Sequence, residues 1–224
     1  DYGEVTVVIA LDAVPGKALK RMSGFISEAE ALEYVEEEKR YYGLLSERGI
    51  TPLPTECVVV TGKTTVVYLV QDLVNKERLG NSILRNEPME TVAGCIEAAL
   101  DRIASSVRYN RQIRDGLEAV ADSQLSNWYF PETGGPPFLI DVGSPITRAN
   151  GKVYAFTQLF YRSFPWPLSS FVKWLGAVES YFNEYFDLRL AILDMLGNFY
   201  KEQASARVAP CIEVVNGWLN RQPE

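Results

Sequence analysis

Two carboxylates and an amide sit where they could act on phosphate chemistry. Asp122 and Asn127 lie five positions apart in "ADSQLSNWYF", a stretch that runs from a loop into a strand. Asp141 follows in "FLIDVG", at the end of a second short apolar strand and two residues before Gly143. Side-chain oxygens at adjacent hairpin ends suit a hard divalent cation such as Mg²⁺. A carboxylate beside that cation can orient or deprotonate a hydroxyl nucleophile. Phosphoryl transfer needs both parts: a metal to offset phosphate charge and an acceptor for the attacking hydroxyl. The same residue types are also common in turns, so the elements around them must decide.

Composition narrows the chemistry. The 224 residues contain no histidine, which removes Ser-His and Cys-His nucleophile pairs and most zinc sites. A formal net charge of −7 argues against a nucleic-acid surface, which needs an excess of Lys and Arg. Cys57, Cys95 and Cys211 are far apart and odd in number. They read as free, buried thiols of a reducing compartment, here expected to be the cytoplasm. No apolar run reaches the length of a membrane span, and no signal peptide is visible.

The chain divides near residue 74. "EVTVVIALD" and "KALKRM" read as strands joined by the turn "AVPG". Ser27-x-x-Glu30 is a capping box that opens a helix over "EAEALEYVEEEKRYYGLLSE". Its apolar face is expected to include Leu32, Val35, Tyr42 and Leu45. "GITPLP" ends it, and "ECVVVTG" and "TTVVYLVQDLV" follow as strands, so residues 1–74 predict β-β-α-β-β. Residues 75–224 predict a mostly helical unit. A helix over 88–120 carries Val92, Ile96, Leu100, Ile103 and Val107 on one stripe. A hairpin at 122–143 bears the Asp and Asn residues, one or two helices cover 168–203, and a last helix covers 207–221. The fold class is α+β.

Lys20 in a strand, an acidic helix, a strand end at "YLVQDLV", then D-x-x-x-x-N and D-x-G follow one another in the order found in the protein-kinase-like superfamily. Asp-Val-Gly in place of Asp-Phe-Gly, with no Ala-Pro-Glu downstream, resembles the aminoglycoside phosphotransferase and choline kinase-like branch. "YGEVTVV", "ALKRM", "LSNWYF", "IDVGSP" and "NFYKEQ" look most like a bacterial family of uncharacterised kinase-like proteins, over nearly the full chain. The resemblance implies a two-lobe fold and a phosphotransferase that uses ATP and Mg²⁺ on a small-molecule hydroxyl. Asp122 would act on that hydroxyl, and Asn127 and Asp141 would hold the metal. Lys20 would hold the phosphates, paired with Glu33 or Glu37 of the helix. Gln71, Asp72 and Leu73 would meet the adenine. It also implies one more strand ahead of residue 1.

Two departures keep a second expectation open, a kinase-like module that binds nucleotide or a protein partner without transfer. Val120 stands where the superfamily usually has histidine, and Gly3 with Glu4 is a thin remnant of a glycine-rich phosphate loop. Nucleotidyl transfer is a third possibility on the same scaffold. Asp194, Asn198, Lys201 and Glu202 share one side of a predicted helix. An interhelical polar network is expected there ahead of a substrate contact. Arg162, among aromatics and prolines, is expected in a packed loop, and the aromatic run from Trp174 to Phe186 in helical core.

Overall fold

The computed structural model describes residues 6–10, 14–113, 116–155 and 177–222. The mixed α+β class expected from the sequence is what the chain adopts. The expectations resting on Gly3, Glu4, Arg162 and residues 168–176 lie outside the described residues.

The first half builds one antiparallel sheet around one helix. Strands β1 (Thr6–Ala10), β2 (Lys17–Phe25), β4 (Thr55–Thr61) and β5 (Thr65–Asp72) pair in the order β1-β2-β5-β4. Helix α1 (Glu28–Glu47) connects β2 to the short β3 (Thr51–Pro52). The capping box forms as its spacing predicts. Ser27 Oγ accepts from the Glu30 amide at 3.2 Å, and the Glu30 carboxylate accepts from the Ile26 amide at 2.7 Å. The helix stops where Gly49 turns to φ +81°, and the Ile50 amide returns to the Leu45 carbonyl.

Val35 and Leu45 are buried on α1 as expected and Tyr42 is partly buried, but Leu32 is half exposed; Ala31, Tyr34, Glu38 and Tyr41 complete the buried stripe. Leu32 gives way because the hydroxyls of Tyr34 and Tyr41 find carbonyl partners inside, so polar-tipped side chains share the buried face. Ala31, Tyr34 and Val35 pack with Met22, Phe25, Val67 and Leu69 of the sheet.

The second half is helical, with small ladders between the helices. Helices α2 (Gly80–Asn86), α3 (Met89–Gln112), α4 (Ala177–Glu184), α5 (Leu188–Lys201) and α6 (Val208–Leu219) follow in order. The expected stripe Val92, Ile96, Leu100, Ile103 and Val107 is fully buried on α3. The helix ends at Gln112, short of 120. Asn110 draws the chain into β6 (Glu118–Ala119), donating to the Ala119 carbonyl at 2.9 Å and accepting from its amide at 3.2 Å. Side-chain capture of backbone groups is a routine competitor of helix propagation. The span predicted as one or two helices is broken at Asp187, whose carboxylate caps α5.

Four short ladders position the candidate site. β7 (Trp128–Tyr129) and β8 (Phe138–Leu139) form the hairpin, and β8 also pairs in parallel with β3. β6 pairs with β9 (Ile146–Ala149), which pairs with β10 (Lys152–Ala155). A large core of α3, α5 and α6 residues closes over Trp128, Phe130 and Leu139. Cys57, Cys95 and Cys211 are free thiols, the last two buried. Among the described residues no helix is long and apolar enough to cross a membrane.

The start of α2 lies directly on the 3-10 turn Leu125–Asn127. A Cβ at Gly80 would overlap the Leu125 carbonyl. Gly80→Ala is expected to cost about 1–3 kcal/mol, as overpacking of a closed contact does. A fall in the urea midpoint with an unchanged slope checks it.

Candidate active site

Two side chains of α1, Tyr34 and Tyr41, and that of Arg48 at its C-terminal cap reach the segments that flank the candidate residues. The Tyr34 hydroxyl donates to the Gly143 carbonyl at 3.0 Å, two residues past Asp141. The Tyr41 hydroxyl donates to the Val120 carbonyl at 2.5 Å, two residues before Asp122. Arg48 is buried and donates to the Leu117 and Leu44 carbonyls and to Asn110 Oδ1. Seven-residue spacing keeps all three on one stripe.

The hairpin brings the expected trio together. The Ile140 amide donates to the Asn127 carbonyl at 2.8 Å, which sets Asp141 beside Asn127. Asp122 Oδ1 accepts from the Gln124 amide at 2.9 Å, a local turn that fixes the carboxylate. Gln124 Nε2 also donates to Asp122 Oδ2 at 3.3 Å, and Asn127 and the charge of Asp141 are close enough to act on the carboxylate. Protein surrounds Asp122 while part of it still reaches solvent. Burial pushes its pKa up to about 7. The Gln124 amide and Asn127 pull against that rise, while the charges of Asp194 and Asp141 add to it.

Lys20 lies where the strand lysine was expected and is nearly buried. Its Nζ donates to the Ile140 carbonyl at 2.8 Å and lies 3.2 Å from Asp141 Oδ1, whose side chain is about half exposed. Gln71 Nε2 donates to the same Ile140 carbonyl at 3.0 Å and to Thr55 Oγ1 at 2.8 Å. Two donors from the sheet thus hold one carbonyl beside Asp141.

The helix carboxylate facing Lys20 is Glu38; Glu33 and Glu37 sit on another stripe. Glu33 is exposed, and Glu37 pairs with Arg40 at 2.5 Å. Both line a separate cavity of about 410 Å³ with Thr147 and Tyr154. Glu38 is fully buried, and its Oε2 has no hydrogen-bond partner. Burial lifts its pKa well above the ordinary range, Asp141 adds to the rise, and Tyr34 and Lys20 oppose it. Glu38 Oε1 lies 3.3 Å from the Tyr34 hydroxyl, whose single proton is claimed by Gly143. A proton on Glu38 therefore satisfies the pair. The signal for Glu38 was present in the sequence: it shares the 3- and 4-residue spacing of Tyr34, Tyr41 and Leu45.

The strand end at Gln71–Leu73 divides. Gln71 points inward, whereas the Asp72 carboxylate pairs with Lys17 at 2.6 Å on the surface. The Leu73 amide donates to the Gly16 carbonyl at 2.8 Å, and its side chain is largely exposed. That amide is committed to the ladder between β2 and β5.

Behind the hairpin, the expected polar network forms only in part, around Asp194 of α5. Asp194 Oδ2 accepts from Ser123 Oγ at 3.0 Å and from the Tyr185 hydroxyl at 3.2 Å. Asn198 Nδ2 donates to the Asp194 carbonyl of its own helix at 2.9 Å, and both Glu202 carboxylate oxygens are buried without a hydrogen-bond partner. Val120 packs with Val107, Ile146, Tyr185 and Phe186. No group of three or more His, Cys, Asp and Glu close enough to hold a metal occurs among the described residues.

The chain belongs to DUF6206, a family of unknown function, which it matches over residues 9–222. No curated protein matches it.

Asp122 makes folding stability depend on pH. Its folded pKa is raised, so its contribution is fully present below about pH 4 and is lost as pH rises through about 7. Asp122→Asn is expected to flatten that decline by on the order of 1–3 kcal/mol. Urea midpoints measured from pH 4 to pH 8 check the sign.

Proposed function

We propose that this protein is an ATP- and Mg²⁺-dependent phosphotransferase acting on a small-molecule hydroxyl, built on a protein-kinase-like two-lobe framework. The observation that carries the reading is the convergence of Lys20, Asp141, Asn127 and Asp122 around one hairpin, from a strand and from both ends of that hairpin. The sheet order β1-β2-β5-β4, with α1 between β2 and β4, supports the framework. A cytoplasmic setting is part of the proposal, in keeping with three free thiols.

Asp122 orients the acceptor hydroxyl and takes its proton. With its pKa near 7, it is poised to switch between carboxylate and acid at neutral pH. Lys20, nearly buried and already beside Asp141, positions phosphate oxygens. Gln71 closes the back of the site, and Asp72 and Leu73 line its adenine end through backbone groups other than the Leu73 amide.

Asn127 and Asp141 supply oxygen donors to Mg²⁺. The small donor set fits that ion, which keeps several waters and uses one or two carboxylates plus substrate phosphates. Bound there, Mg²⁺ offsets phosphate charge.

A second reading is a nucleotide- or partner-binding module without transfer. It is favoured by the double engagement of Lys20 with Asp141 and the Ile140 carbonyl. Thermal shift with Mg²⁺ and each nucleotide, followed by a turnover assay over candidate acceptors, separates the two readings. Asp122→Asn is expected to lower turnover about 10²–10⁴-fold while nucleotide stabilisation survives. Asp141→Asn is expected to weaken Mg²⁺-nucleotide stabilisation itself. Stabilisation of the wild type without any turnover favours the module, and no stabilisation by any nucleotide overturns both.

A further inference from the structure

β4 lies at one edge of the four-stranded sheet, and among the described residues no strand pairs with its outer side. It runs seven residues in unbroken register with β5, from Thr55 against Gln71 to Thr61 against Thr65. Cys57 and Val59 turn inward against the α1 cluster. Glu56, Val58 and Val60 point outward, with Val58 38% and Val60 48% exposed.

Edge strands of monomeric proteins are blunted by brevity, bulges, proline or lysine. β4 has none of these within its span, since Pro54 precedes it and Lys63 follows it. Its centre is three consecutive valines, a β-branched and uncharged run. Tyr68 and Val70 of β5 lie opposite Val58 and Glu56, and both are half-buried, so apolar surface continues inward from the edge.

We propose that β4 pairs antiparallel with β4 of a second copy of this chain, joining two four-stranded sheets across a two-fold axis. Charge selects that direction. Glu56 stands near one end of the strand and Lys63 just beyond the other, and both are exposed. An antiparallel copy brings each Glu56 end to the partner's Lys63 end, whereas a parallel copy sets like charge on like. The axis then falls among the valines, which places apolar residues at the centre and charge at the rim. A Cβ built at Gly62 would meet nothing within 4 Å, so space is open at the hairpin turn. The inference is independent of the nucleotide reading, since β4 contributes no backbone to that site.

Sedimentation velocity on the full chain over a wide concentration range tests it. The wild type is expected to show a concentration-dependent monomer–dimer equilibrium. Val58→Lys and Glu56→Lys are each expected to weaken it on the order of tenfold or more, because the axis counts every cross-strand pair twice. Combining Glu56→Lys with Lys63→Glu is expected to restore most of the wild-type affinity. A wild type that stays monomeric overturns the proposal. So does a dimer indifferent to the single substitutions, or a double variant no tighter than Glu56→Lys. Should Val58→Lys fail to fold, the exposed charge pair decides alone.

Discussion

One stripe of α1 holds the architecture together. Tyr34, Tyr41 and Arg48 recur every seven residues and donate to carbonyls at 143, 120 and 117. Each acceptor belongs to a segment with little regular structure of its own. Loop carbonyls buried without partners would cost about 1–3 kcal/mol each. The helix therefore does more than fill space under the sheet. It fixes the height of the segment that leads into Asp122 and of the one that follows Asp141, and so helps set the distance between them.

Electrostatics follows from that fixed frame. The charges of Asp194 and Asp141 raise the proton affinity of Asp122, and the charge of Asp141 also raises that of Glu38, which Lys20 opposes. Carboxylates crowded in a poorly hydrated region favour protonation or a cation. The arrangement distributes the burden by position. Glu38, deepest, is best satisfied with a proton, while Asp141, half exposed, keeps an ammonium partner. Asp122 lies between these extremes, held by an amide on one side and pressed by charge on the other. Asp194 is shielded by hydroxyls of Ser123 and Tyr185.

Much of this was legible in the residues, and the limits have physical reasons. The capping box, the α3 stripe and the strand pairs of the first half follow from local rules, and the structure realises them. The grouping of Asp122, Asn127 and Asp141 was readable because a hairpin with a strong turn cluster joins them. Which helix carboxylate faces Lys20 was not, since a run of glutamates is ambiguous until the buried face of the helix is known. That face was only partly readable, because Glu38 counts as polar in a hydrophobic pattern, and Tyr34 and Tyr41 become interior only once distant carbonyls meet their hydroxyls. The end of α3 was missed for a related reason: Asn110 captures a strand nine residues ahead, and no periodicity records that.

The distances along the chain between donors and acceptors carry a consequence for how the protein is made. Lys20 waits for residue 140, Tyr34 for 143, Tyr41 for 120 and Arg48 for 117. During vectorial synthesis the sheet and α1 emerge first, with these polar groups buried or poised for burial and their acceptors still inside the ribosome. The early segment can form secondary structure, but it cannot settle its interior until the hairpin arrives. Only then does parallel pairing of β3 with β8 become possible. The interior of the front half is therefore completed only by residues 117–143, so its final packing waits for the back half.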